Sequence, residues 1–201
     1  GYAIASALAD AGAQTVLVSG PVEIAAPPRV KLVKVQTARQ MWDACQAELP
    51  ADIAVCAAAV ADWRAESPAS AKLKKRNTAP TLSLVENPDI LAGLSSHASM
   101  RPKLVIGFAA ETDDLIANAA AKRLAKGSDW IVANDVSEAG SGFGTPTNRV
   151  TLFAADGGVD PLPLLPKRVV ANRILDRVAA LLDDRDRRGG FRWKFIRQPG
   201  L

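Results

Sequence analysis

Asp62 stands just beyond the wholly apolar run 53–60 (IAVCAAAV), and ten residues further on three lysines cluster at Lys72, Lys74 and Lys75. A carboxylate at the carboxyl mouth of a buried strand can accept hydrogen bonds from sugar hydroxyls. It would serve equally as a solvated turn residue beside Arg64. Ammonium groups on an arm can close over a triphosphate and neutralise the charge that develops as a phosphoanhydride breaks; a lysine run in a loop is also a common solvated face. Asn87-Pro88-Asp89-Ile90 combines a capping residue, a proline suited to the first helical position and an acid in the first turn. This starts a helix, and a helix start also aims backbone amides at a polar or anionic ligand. Lys122 and Lys126 are one helical turn apart, so both ammonium groups share a face, able to grip a phosphate chain or to complement the helix dipole ahead of Gly127. The stretch from Gly107 to Thr112 (GFAAET) leaves a buried strand for a helix capped by Thr112. Glycine admits a close backbone approach there, and Phe108 offers a flat face to a planar base or to the core.

The elements that must hold these residues alternate. Strand-like apolar runs occur at 15–19, 30–35, 53–60, 104–109, 130–134 and 150–154, with a further short strand at 81–85. Helical periodicity marks 2–11, 37–48, 88–97, 112–126 and 167–184. Continuous Val/Ile/Ala runs suit strands covered on both faces. The pattern predicts a Rossmann-like, doubly wound α/β domain with a mostly parallel sheet and its ligands at the carboxyl ends of the strands. The chain opens at Gly1 already inside a helix whose stripe is Ile4, Ala5, Leu8 and Ala9. A βαβ unit opens with a strand and a glycine-rich turn, so the expectation is that this first strand and loop are absent from the chain. No internal repeat is visible. Residues 1–184 are expected to form one domain, and 185–201 a basic tail outside the fold.

Charge and composition narrow the classes. The net charge of +4 suggests nucleic acid until its distribution is read. From Arg185 to Leu201 six basic residues face one acid, or +5, which leaves the rest at −1. A groove that tracks phosphates needs its charge on the folded face, so no nucleic-acid partner is expected. Apolar runs of about eight residues are too short to span a bilayer, and no membrane association is expected; the expected location is the cytoplasm. Cys45 and Cys56 lack metal or redox spacing and read as buried free thiols. The single histidine, His97, reads as a helix-end residue, so no zinc site of the common kinds and no histidine-based triad is expected, and no residue is assigned as a metal ligand.

The order of the signals is more specific than any one of them. The run CAAAVADWR, then KLKK, ENPDIL, IGFAAET, KRLAKG and IVANDVS, resembles the phosphopantothenoylcysteine synthetase family, also called phosphopantothenate-cysteine ligases, of coenzyme A biosynthesis. The similarity extends from Gly1 to about Asp184. In most bacteria this family forms the carboxyl-terminal half of a bifunctional protein whose other half is a flavin-dependent decarboxylase. The resemblance implies ligation of 4'-phosphopantothenate and L-cysteine driven by CTP with Mg2+, through an acyl-cytidylate, in a homodimer. FMN would be present only if a decarboxylase domain is fused upstream. By position, it implies that Asp62 is the nucleotide-binding aspartate, Lys72 the catalytic flap lysine, Asn87, Pro88, Asp89, Ile90 and Phe108 the nucleotide-pocket residues, and Lys122 and Lys126 the paired phosphate lysines. The family's Asn-x-Ser-Ser-Gly loop, which would end just before Gly1, is not in this chain. Two other classes use related patterns. A nicotinamide-dependent oxidoreductase would want an acid after the strand at 15–19, where Ser19-Gly20-Pro21-Val22 stands, and has only Tyr2 for a catalytic tyrosine. A non-catalytic nucleotide-binding module would share every binding feature and release no pyrophosphate.

Overall fold

The computed structural model describes residues 1–67, 81–111, 114–135, 140–141 and 144–189. Lys72, Lys74, Lys75 and Thr112 therefore lie outside the described residues. The alanine-rich amino end, with Ile4, Ala5, Ala7 and Ala9 buried on one side, forms α1 (Tyr2–Asp10). It is followed by β1 (Thr15–Ser19) and β2 (Val30–Lys34), a parallel pair in the register Thr15 to Val30 through Ser19 to Lys34. Then α2 (Ala38–Ala47) starts on a capping box: the Gln40 amide donates to Thr37 Oγ1 at 3.2 Å and the Thr37 amide to Gln40 Oε1 at 3.1 Å. These two contacts satisfy donors that a helix start leaves without intrahelical partners.

The run 53–60 yields only β3 (Ile53–Cys56), half the expected strand, and its residues are half-buried rather than covered on both faces. Its last pair is Cys56 with Gly107, after which the chain leaves the sheet. It leaves to build a ribbon of β4 (Trp63–Ala65) against β5 (Leu84–Glu86), antiparallel, where sequence periodicity suggested a strand at 81–85 alone. Next come α3 (Ile90–Ser95), β6 (Leu104–Glu111), α4 (Leu115–Lys126) and β7 (Trp130–Asp135). The chain closes with β8 (Thr147–Asn148), β9 (Val150–Ala154), β10 (Val159–Pro161), β11 (Leu165–Pro166) and α5 (Lys167–Gly189), whose helix runs past the expected boundary at 184.

The main sheet has the order β10-β9-β7-β6-β3, with β3, β6 and β7 parallel and β9 and β10 antiparallel additions. The β1–β2 pair is not hydrogen-bonded to it among the described residues, so β1 and β3 each keep one open edge. Strand alternation on β6 splits the core in two. Leu104 and Ile106 pack with Ile4, Ile174, Val178 and Leu182 of α1 and α5, with Phe108 against that group. Val105 and Ala109 pack with Leu91, Ala119 and Ile131 on the other face. Helices thus cover both faces, as a doubly wound sheet requires. Among the described residues, no helix is long and apolar enough to cross a membrane.

Candidate nucleotide site at the carboxyl ends of β3 and β6

Beyond β3 the chain turns through Ala61 and Asp62, and beyond β5 it turns through Asn87; the two turns are bonded to one another. The Asn87 amide donates to the Asp62 carbonyl at 2.7 Å, and Asn87 Nδ2 donates to the Ala61 carbonyl at 2.8 Å. Arg64 donates to the Glu86 carbonyl and, at 3.4 Å, to Asn87 Oδ1. Asn87 is therefore a clamp between segments and does not cap α3. That role belongs to Asp89, whose backbone is extended and whose Oδ1 accepts the Ala92 amide at 3.0 Å. The sequence predicts the cap at Asn87 with Pro88 in the first turn; the structure moves the cap to Asp89, because the Asn87 backbone and side chain are committed to the Asp62 turn. The clamp leaves the Asp62 carboxylate exposed, with no hydrogen bond or ion pair among the described residues.

The second Asp89 oxygen pairs with Lys126 Nζ from the last turn of α4. Partial burial pushes the Asp89 carboxyl up, but the Lys126 bond, the Ala92 amide and the fields of Lys126 and Lys122 outweigh it, so it stays below the usual aspartate range. Among the described residues Lys126 is paired with Asp89, and Lys122 makes no ion pair. Cys56, at the mouth of β3, lies close enough to feel both Cys45 and Asp89. Burial first, then those two groups, push its thiol up to about 12, so it stays protonated at neutral pH. Both cysteines are free, as expected, but each is half-buried where full burial was expected.

Gly107 does permit a close approach, but what approaches is α3. A Cβ there would lie 2.5 Å from Leu91 Cδ2 and 2.7 Å from Ile131 Cδ1. Pro88 is half-buried and Ile90 buried, anchoring the start of α3. The structure thus gathers Asp62, Asn87, Pro88, Asp89, Ile90, Lys122 and Lys126 around the α3–α4 side of the β3/β6 mouth. Phe108 is set apart: alternation sends it to the α1–α5 face, where it is partly buried against the core. The cap of α4 is Asp114, in the left-handed region and without a side-chain bond, in place of the expected Thr112. His97 sits beyond the end of α3, its Nδ1 accepting the Met100 amide at 3.1 Å.

Two clefts flank this arrangement. One of about 470 Å³, between α2 and the β4–β5 ribbon, shares Asn87 and Pro88 with the site. The larger, about 890 Å³, opens at the carboxyl ends of β1 and β2 beside Tyr2, Gly20, Lys34 and Gln36, and none of the described residues expected to bind the nucleotide lines it. Tyr2 donates its hydroxyl to Ser19 Oγ at 3.1 Å, so the lone tyrosine is engaged at the end of β1. Among the described residues no group of three or more His, Cys, Asp or Glu could hold a metal ion.

A mostly parallel, doubly wound sheet with helices on both faces places the chain in the α/β class whose ligands sit outside the carboxyl ends of the strands. The chain matches the DNA/pantothenate metabolism flavoprotein C-terminal domain over residues 1–182, and it belongs to that family. The coenzyme A biosynthesis bifunctional protein CoaBC of Escherichia coli (strain K12) is 43% identical over 192 residues, covering 94% of this chain and 47% of that protein. The chain thus spans about half the length of the curated relatives it matches. The crystal structure of a CoaBC C-terminal domain superposes with a TM-score of 0.75 at 35% identity, covering 92% of this chain and 82% of that one. A Cab2 variant in complex with phosphopantothenate-cysteine shares the fold at a TM-score of 0.57 and 17% identity, covering 78% of this chain and 54% of its own.

Proposed function

We propose that this chain is the ligase portion of a coenzyme A biosynthesis protein, which joins 4'-phosphopantothenate to L-cysteine using CTP. The observation that carries the reading is the Asp89–Lys126–Lys122 cluster at the mouth of β3 and β6, in a family whose Escherichia coli relative is named for coenzyme A biosynthesis. In the first step a phosphopantothenate carboxylate oxygen bonds to the α-phosphorus of CTP, and the bond to the β-phosphate oxygen breaks, releasing pyrophosphate. In the second, the cysteine amine attacks the acyl carbon, CMP leaves with the electron pair of the acyl–oxygen bond, and the nitrogen gives up a proton.

Two anions must meet in the first step, so cationic groups lower its barrier. Lys122 and Lys126 sit on a rigid helix and would hold the phosphates on arrival, with Asp89 keeping the Lys126 ammonium in place while its other N–H donors face the phosphate. Asp62 would accept from the ribose hydroxyls. Lys72 would close over the reacting phosphate and exclude the water that hydrolyses the mixed anhydride. The described residues do not supply a protein cage for Mg2+, which enters as part of the magnesium–CTP substrate. Trp63, Leu82 and Leu84, each more than half exposed on or beside the β4–β5 ribbon, form an apolar face that a second copy would cover in a homodimer. A flavin decarboxylase domain fused upstream, carrying FMN, and a cytoplasmic location complete the proposal.

The test is to supply CTP, ATP, phosphopantothenate and cysteine in turn and follow pyrophosphate and CMP. Pyrophosphate release that needs CTP and phosphopantothenate but not cysteine, with CMP release that needs cysteine, is the expected result. Nucleotide binding without pyrophosphate would make the chain a binding module instead.

A further inference from the structure

The Asp89–Lys126 pair joins the amino end of α3 to the last turn of α4, and it persists only if the two helices keep their spacing. α3 has six residues, well short of the ~12–15 at which an isolated helix becomes even marginal in water, so its direction is imposed from outside. Its start is held by the Asp89 cap and its middle by Leu91 on Gly107. Its end rests on one guanidinium. Arg101 Nε donates to the Ser95 carbonyl at 2.7 Å, and Nη1 to the Pro102 carbonyl at 2.9 Å. Nη2 donates to Asp129 Oδ2 at 3.0 Å and to the Gly127 carbonyl at 3.4 Å. Ser95 is the last residue of α3, and Gly127 is the left-handed cap of α4. The same Asp129 oxygen receives the Val105 amide at 2.7 Å, at the start of β6. One side chain thus satisfies terminal carbonyls of two helices, places positive charge at both negative dipole ends, and fastens them to β6.

We propose that Arg101 is a positioning residue for the nucleotide site, which, through Asp129, sets the spacing between Asp89 and the Lys122–Lys126 pair. This rests on the proposed phosphate-binding role of those lysines. The lever is short and stiff: six residues place Asp89 roughly 9 Å from Ser95 along the helix. A swing of about ten degrees would then carry the cap roughly 1.5 Å, and a misplacement of about 1 Å can cost on the order of a hundredfold in an oriented site. Lysine cannot substitute, because a point charge lacks the planar fork that reaches four acceptors at once.

Two readouts on the full chain test this. The first is the titration of the Asp89 carboxyl by carbon-detected NMR, which needs no nucleotide. Arg101→Lys is expected to move it upward toward the ordinary aspartate range as the Lys126 bond loosens. The second is CTP affinity by calorimetry in a double-mutant cycle with Lys126→Gln. Arg101→Lys should weaken CTP about tenfold when Lys126 is present and less than about twofold when it is absent. An unmoved Asp89 titration, or equal losses in both backgrounds, would overturn the proposal. Should the parent chain bind neither CTP nor ATP, the nucleotide reading fails while the Asp89 titration still decides the role of Arg101. If Arg101→Lys does not fold, Asp129→Asn carries the same measurements, since it keeps an acceptor for Val105 and loses only the charge facing Arg101. Loss of the fold in both variants would make the clasp a stability element and overturn the proposal.

Discussion

Asp89 does two jobs with its two oxygens, capping α3 with one and holding Lys126 with the other. Its acidity is raised in the fold, so whatever stability the pair supplies is complete above the ordinary aspartate value of about 4 and is lost as pH falls through the lowered one. Both side chains are more than a third exposed, which limits the contribution to about 1 kcal/mol. Thermal melts from neutral to acid pH should therefore fall less steeply for Asp89→Asn than for the parent, by about that amount; identical slopes would remove Asp89 from the acid limb. The lysines should separate by when they act. Lys122→Gln and Lys126→Gln are expected to weaken CTP binding, because those charges are in place on a rigid helix before any closure. Lys72→Gln is expected to cost on the order of a hundredfold in turnover with little change in affinity. Calorimetry beside steady-state pyrophosphate release checks all three, and proportional losses of rate and affinity at Lys72 would reduce it to a binding contact. The types and order of these residues were legible in the sequence. The division of labour between Asn87 and Asp89 was not, since both are good caps and only the bond between the Asp62 and Asn87 turns decides which is free.

Long elements with a strong period were legible for the same reason that they are stable. α1 and the core-facing part of α5 bury stripes at helical spacing, α2 presents only a half-buried one, and β6 and β7 are apolar up to their closing residues, Glu111 and Asn134-Asp135. The two- and three-residue strands β4, β8, β10 and β11 are too short for a period of two to register, and they exist through their partners. The run 53–60 illustrates the opposite error: composition suits a strand of eight residues, but pairing with β6 stops at Gly107, and the rest must turn toward Asp62. Gly107 is where element packing meets the site, because the missing side chain is what lets Leu91 lie against β6. Gly107→Ala should cost about 1–3 kcal/mol through overpacking and, by lifting α3, also weaken nucleotide binding. A denaturation midpoint unchanged from the parent would mean that Leu91 and Ile131 can move aside freely.

At the scale of the whole molecule, the core is closed by Ile174, Val178 and Leu182 of α5, all upstream of the basic carboxyl-terminal stretch. Removing 190–201 is expected to leave the melting temperature unchanged within a degree or two; a clear drop would place those residues against the body. The open edges of β1 and β3 have an isotopic signature. Along a strand, successive amides point to opposite sides, so β3, bonded among the described residues to β6 alone, should show protected and rapidly deuterating amides in alternation, with the same stagger in β1 beside β2. The paired stretch of β6, flanked by β3 and β7, should be slow throughout. A segment that seated between β1 and β3 would erase the alternation in both strands at once, so deuterium uptake read residue by residue measures the continuity of the sheet.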